Sequence, residues 1–329
     1  MRPVNTGSGR TSRPARAAAP SAPRTHRARP LHRVRSVDVG RARRSGEPRV
    51  SRVDVLASLG DLPAVVEAGE RARAACDELR WHEAFRRRWR EVRAESGVRS
   101  ACASAAVDGA RVPLDAVRAM ALTSPDDGAT ELVARGALRA AALVERLMPE
   151  LGGKSSSVLP PLPQLVARIH AAAAAGLVVP DDLGRLRGTR APRDLTGLGA
   201  APTGAELAAR LELLGRVVAT SEAPALVVAA VVHGELLALR PFVAGNGVVA
   251  RATARLLVTA RGLDVTGSVI AEGAWARTPN AYLGAAAGFA TGTPSGVGAW
   301  VVACADAVVD GAGAARAVAE AVRAGRLDA

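Results

Sequence analysis

From Val53 onward the chain is written in alanine-rich stretches parted by Gly, Pro and Ser, with almost no alternating β-branched segments. That punctuation admits helices and leaves little from which to build a sheet, so the expected fold class is all-α. Asp61-Leu-Pro marks a helix start, with proline at the first helical position, and the helix runs to about Arg80. Trp81 to Glu95 continues or restarts it. Ser124-Pro-Asp-Asp opens a long helix from about Thr130 to Met148, and a Gly/Ser break from Gly152 to Ser157 follows. Pro161 to Ala175 is a further helix closed by Gly176, and Thr203 to Thr220 begins on a capping pattern, Thr203 with Glu206 three residues on. A terminal helix ends near Arg323, with Gly325 as its stop. Only Leu177 to Pro202 departs from this helical pattern, and its short pieces bounded by glycine and proline suit a β-hairpin or an irregular flap.

Aromatic residues make up 2% of the chain, so packing must rely on Ala, Leu and Val brought close together. Trp81, Phe85 and Trp89, at a spacing of four, are expected to form a core stripe. The apolar run Ala223 to Leu239 is interrupted by Pro224, His233 and Glu235 and falls short of the about 20 apolar residues that span a bilayer. It is a buried central helix by this reasoning, and no membrane span is expected. The net charge of +13 is concentrated at one end: residues 1–52 hold 14 of the 44 basic residues and two of the 31 acids, leaving 30 bases against 29 acids elsewhere. That Arg-, Pro- and Ser-rich stretch cannot bury enough surface to offset the entropy of ordering, and is expected to be a disordered tail. It has no continuous apolar segment of a secretory leader, so a cytoplasmic location is expected. Phosphate contacts from the tail to nucleic acid or anionic lipid are one alternative, without interleaved aromatics to read a sequence. Cys76, Cys102 and Cys304 lie far apart, with no histidine at metal-ligand spacing, and read as small buried hydrophobes.

The segment richest in chemistry is Arg240-Pro-Phe-Val-Ala-Gly-Asn-Gly-Val-Val-Ala-Arg251, a Gly-Asn-Gly turn between two helices. Glycines let backbone approach a ligand, Asn246 can cap the second helix, and the free N–H groups of that helix's first turn attract anions. The segment resembles the signature of the Fic family, His-x-Phe-x-(Asp/Glu)-Gly-Asn-Gly-Arg-x-x-Arg. Pro241, Phe242, Gly245, Asn246, Gly247 and Arg251 match it in register. His233 in the preceding helix, His170, the Gly184-Arg185-Leu186-Arg187 flap entrance, Tyr282-Leu283 and Trp300 are similar to family landmarks, and the resemblance spans roughly residues 55 to 310. A second element, Ser104-Ala-Ala-Val-Asp108-Gly109, is similar to the family's inhibitory pattern (Ser/Thr)-x-x-x-Glu-(Gly/Asn), with Asp in place of Glu. The resemblance implies a helical Fic domain that binds ATP or another nucleotide and transfers AMP to a protein hydroxyl. Arg240, Phe242, Gly245, Asn246, Gly247 and Arg251 would then bind nucleotide or phosphate, and Ser104, Asp108 and Gly109 would be inhibitory, with Asp108 on Arg251. It also implies segments: tail 1–52, inhibitory helical part 53–124, core 125–310 and a C-terminal helix 311–329.

The departures from the family pattern carry the functional expectation. The family histidine that takes the hydroxyl proton is Arg240 here, and a guanidinium stays protonated with a pKa above about 12. The acid that holds Mg²⁺ is Ala244, which offers no oxygen to a hard cation, and the first motif arginine is Val248. His233, two helical turns before Arg240, is expected to be a buried structural histidine rather than a relocated base. Losing base, metal ligand and one clamp together points to a pseudoenzyme that binds a nucleotide, another phosphate-bearing ligand or a protein partner. Two alternatives stand beside it: an active transferase of AMP, UMP or another phosphate-containing group, and a nucleic-acid-associated protein working through its arginine tail.

Overall fold

The computed structural model describes residues 54, 56–122, 128–153 and 158–327. A single turn, α1 (Ala57–Gly60), leads into α2 (Pro63–Arg80), which opens on its proline as expected. The chain then breaks instead of continuing. His82 Nδ1 accepts the Ala84 N–H at 3.2 Å and starts a tight turn over Glu83–Arg86, and a new helix, α3 (Trp89–Val107), runs well past Glu95. That break takes Trp81 out of register: it is 72% exposed, with the Arg80 guanidinium 4.8 Å from its ring, while Phe85 is buried. The expected three-residue core stripe is therefore not formed.

Next come α4 (Leu114–Met120), α5 (Ala129–Leu147) and α6 (Leu162–Ala174), the last closed by Gly176 in the left-handed region as anticipated. The Ser124-Pro-Asp-Asp start, residues 154–157 of the Gly/Ser break and the tail of residues 1–52 lie outside the described residues. Between α6 and α7 (Gly204–Thr220) the chain is an irregular flap with two short 3-10 turns, Pro180–Asp182 and Thr196–Leu198, and no strand among the described residues. Thr203 precedes α7, yet its side chain makes no capping bond, so the expected capping box is absent. Then follow α8 (Ala225–Leu239), α9 (Asn246–Ala260), α10 (Ala271–Arg277), α11 (Pro279–Ala290) and α12 (Pro294–Arg323).

Apart from His233 and Glu235, helix α8 is apolar all round and buried almost throughout, which makes it the central rod. It packs on α9, α7, α11 and α12, and Trp300 of α12 donates its indole N–H to Ala230 O at 2.7 Å. Helix α9 also rests on α5 and α6, while α3 is held between α5 and α10. With few aromatics the helices approach closely: a methyl added to Gly136 on α5 would sit 2.0 Å from the Ala173 carbonyl oxygen on α6. Each fully buried Leu, Val, Ile or Phe side chain contributes about 1.5–3 kcal/mol. Helix α12 is long and apolar enough to span a bilayer by length and composition, and half of its apolar window is buried inside the fold. It runs unbroken through residue 310, so a segment boundary there falls within a helix.

Candidate functional site

The Gly-Asn-Gly turn joins the end of α8 to the start of α9. Gly245 stands just before α9 with φ 80°, a conformation that favours glycine. Asn246 holds the loop on itself: its Oδ1 accepts the Phe242 N–H at 2.9 Å and its Nδ2 donates to Phe242 O at 2.9 Å. Phe242 is fully buried and stacks on His170 of α6, ring centres 3.9 Å apart and nearly coplanar in tilt at 4°. His170 Nδ1 accepts the Gly184 N–H at 2.9 Å, which puts its proton on Nε2, 3.1 Å from the Ala244 carbonyl oxygen that accepts it. Burial pulls this imidazole down to about 4, so it is neutral at pH 7 and serves as a strut between flap and motif loop.

Above the first turn of α9 two carboxylates converge. The end of α3 closes as a Schellman turn, Ala110 N donating to Ala105 O at 2.9 Å and Gly109 N to Ala106 O at 3.1 Å, with Gly109 at φ 89°. This fixes Asp108 at the helix end, with Ser104 one turn back on the same side. Both reach Arg251. Its Nη2 lies 2.7 Å from Asp108 Oδ2 and donates to Ser104 O at 3.0 Å, and its Nε donates to Ser104 Oγ at 2.8 Å. Arg251 is 1% exposed, and its Nη1 has no partner among the described residues. Burial works against its charge, but Asp108 and Tyr282 more than offset that and hold its pKa above the usual arginine range. Gly247 is where these groups come nearest the backbone: a Cβ there would lie 2.5 Å and 2.8 Å from the Asp108 oxygens and 3.0 Å from Arg251 Nη1.

The second carboxylate is Asp194 of the flap. Its Oδ2 accepts the Asn246 backbone N–H at 2.8 Å and its Oδ1 accepts Asn246 Nδ2 at 2.7 Å. Burial raises its pKa, the Asn246 donors pull it down, and nearby Asp108 pushes it up again, leaving it above the ordinary aspartate value. Sequence reasoning missed this residue. Its one visible signal is that it is the single acid between Leu183 and Thr203, among four arginines, but nothing in the chain places it opposite a residue 52 positions away. The next two amides of α9, those of Gly247 and Val248, find no acceptor among the described residues.

Arg240 is directed elsewhere than expected. It is a non-glycine residue at φ 42°, and its guanidinium donates to Leu195 O at 2.8 Å and Gly199 O at 2.7 Å, so its charge is spent on flap carbonyls. A left-handed backbone at the end of α8 turns the side chain toward the flap. Leu195, one of its acceptors, is itself left-handed at φ 54°, and each such residue stores about 1–2 kcal/mol of strain. Arg187, also buried, donates Nε to Arg240 O at 2.7 Å and Nη2 to Leu239 O at 3.3 Å, neutralising the carbonyl end of α8. Backbone bonds from Arg187 N to Pro241 O, 3.0 Å, and from Arg193 N to Val243 O, 2.8 Å, complete the attachment of flap to motif loop.

His233 is buried in an aromatic nest of Trp275, Tyr282 and Trp300, with Nε2 2.8 Å from the Tyr282 hydroxyl. Burial, then the charge of Arg251, push its pKa well below the ordinary value, which makes it a structural group as anticipated. Glu235 pairs with Arg210 at 2.9 Å on another side of α8. Among the described residues no cluster of three metal-ligating side chains exists.

No protein-family model and no curated protein matches this sequence. Solved structures do. A Fic family protein from Desulfovibrio desulfuricans aligns over 82% of this chain and 77% of its own at 19% identity, with a TM-score of 0.59. Fic-1 from C. elegans covers 79% of this chain and 73% of its own at 17% identity and a TM-score of 0.57. A Fic domain containing signaling protein from Bacteroides thetaiotaomicron covers 77% and 98% at 13% identity, also with a TM-score of 0.57. The helical body of this chain has a Fic fold.

Proposed function

We propose that this chain is a Fic-fold pseudoenzyme that binds a nucleotide or another phosphate-bearing ligand at the start of α9. One observation supports this most: the amides of Gly247 and Val248 and the buried Nη1 of Arg251 stand without acceptors among the described residues at one helix N-terminus, where the dipole favours an anion. Donors for a phosphate persist there, whereas groups that would drive transfer do not. Arg240 cannot accept a proton and faces the flap. His170 has both ring nitrogens engaged, and His233 is buried against Tyr282. The residues present do not fit Mg²⁺ either: Ala244 offers only a methyl group, Asp108 is paired with Arg251, and Asp194 accepts two hydrogen bonds from Asn246.

Asp108 neutralises Arg251 in this conformation, so a ligand must compete with it. Calorimetry of wild type and Asp108→Ala with ADP, ATP, pyrophosphate and inorganic phosphate tests the proposal. Binding by Asp108→Ala, and weaker or no binding by wild type, is the expected result. Absence of binding to every probe by both proteins removes the ligand half of the proposal. Transfer of label from nucleotide to protein by Asp108→Ala would instead establish an active transferase.

A further inference from the structure

Asp194 is the element of this site that family resemblance does not account for. Its carboxylate receives the first amide of α9 and the side-chain amide of the same residue, at 2.8 and 2.7 Å, which is the contact a phosphate oxygen makes at a helix N-terminus. It comes from the flap, whereas Asp108 comes from the end of α3. The fully buried Arg251 holds its Nη1, without an acceptor among the described residues, over the same turn, 3.0 Å from where a Gly247 Cβ would lie. Two internal carboxylates therefore occupy a place whose donors suit one multiply charged anion.

We infer that Asp194 is a flap lock: it fills the α9 N-terminus as a stand-in anion, so that a phosphate-bearing ligand enters only as the flap lifts away. The inference rests on the phosphate-binding proposal above and adds to it how the site is gated. Three features fit a latch rather than an ordinary cap. The carboxylate is borne by an irregular segment and not by the helix it caps. The residue after it, Leu195, is held left-handed, and the Arg240 guanidinium pins the carbonyls of Leu195 and Gly199, so the closed flap is a strained arrangement fastened at named points. Asp108 and Asp194 oppose one another's charge, so closing the flap over the inhibitory helix end brings two like charges near one cradle. A ligand carrying two or more negative charges displaces both with no net loss of anion, whereas a singly charged one replaces at most one.

The test compares wild type, Asp194→Ala, Asp108→Ala and the double variant, each as the full chain. Calorimetry with ADP, pyrophosphate and inorganic phosphate is paired with hydrogen exchange of the flap amides between residues 187 and 203. The expected result is at least tenfold tighter pyrophosphate or ADP binding by the double variant than by Asp108→Ala. Flap amides should exchange faster in Asp194→Ala without ligand, and in Asp108→Ala only when ligand is added. Asp194→Asn keeps the size but turns an acceptor into a donor facing Asn246, and it takes the place of Asp194→Ala, with the same expected result, if the alanine protein folds poorly. Binding by Asp108→Ala with no gain from either Asp194 substitution, or with a flap that stays protected when ligand is bound, overturns the lock and leaves the phosphate proposal standing. Failure of all variants to bind any probe overturns both.

Discussion

Gly247→Ala is the substitution that most directly interrogates the packing of Asp108 over the turn. Gly247 is the second residue of α9, and its backbone is ordinary helix, so alanine there gains about 0.5–1 kcal/mol from helix propensity when nothing obstructs it. Obstruction is what the structure shows: the new methyl would meet Asp108 oxygens at 2.5 and 2.8 Å and Arg251 Nη1 at 3.0 Å. The Asp108 carboxylate must withdraw, and its 2.7 Å contact with Arg251 is lost. Stripping a buried charge of its partner costs about 3–5 kcal/mol, and the lower end applies because Arg251 keeps Ser104 and the Asp108 side chain is 18% exposed. After the propensity gain, Gly247→Ala should destabilise wild type by about 2 kcal/mol, or about 4–8 °C in Tm. In an Asp108→Ala background the same change should be neutral or slightly stabilising. Chemical denaturation of the four proteins of this cycle, at equal m-values, measures the coupling directly. A coupling below about 0.5 kcal/mol would refute the placement of Asp108 against Gly247, since distant sites add within that margin.

Three further outcomes are expected. His170, neutral in the fold with its pKa lowered to about 4 against about 6.5 when unfolded, contributes stability that is complete above pH 6.5 and lost as pH falls toward 4, by about 3 kcal/mol. Denaturation midpoints at pH 7 and pH 4 should show that loss, and His170→Gln should flatten it; equal slopes in both proteins would exclude it. Gly136→Ala should lower stability by about 3 kcal/mol or more in thermal melts, because its methyl is directed at the Ala173 carbonyl oxygen 2.0 Å away and the α5–α6 contact must open. Arg240→Ala and Arg240→Gly both lose the flap bonds, but glycine relieves the φ of 42°, so Arg240→Gly should be the more stable by about 1 kcal/mol. Equal stability of the two would argue against strain at this position.

Most of the helical plan is legible in the chain because its signals are local. Pro63, Gly176 and Gly325 act within one turn of backbone, and an apolar run such as Ala225 to Leu239 can only be buried. Expectations that depended on what lay opposite fared worse. Trp81 has the spacing of a core residue but is thrown outward by the turn at Glu83–Arg86, and Thr203 has the sequence of a cap without making the bond. The resemblance implies Asp108 on Arg251, and the geometry brings those two together and adds Ser104, which no reading of the chain placed there.

By itself, then, the sequence determined an all-α body, its helix ends, and that the side chains of Arg240 and Ala244 offer neither a proton acceptor nor a metal ligand, because residue identity alone decides whether a side chain can titrate or coordinate. Tertiary structure alone decided where the remaining charges point. Arg240 turns to the flap carbonyls, and Asp194 crosses 52 positions to seat itself on Asn246. Both follow from chain segments that meet only after α8, α9 and the flap have packed, and the energy of a charge depends on the neighbours it finds there.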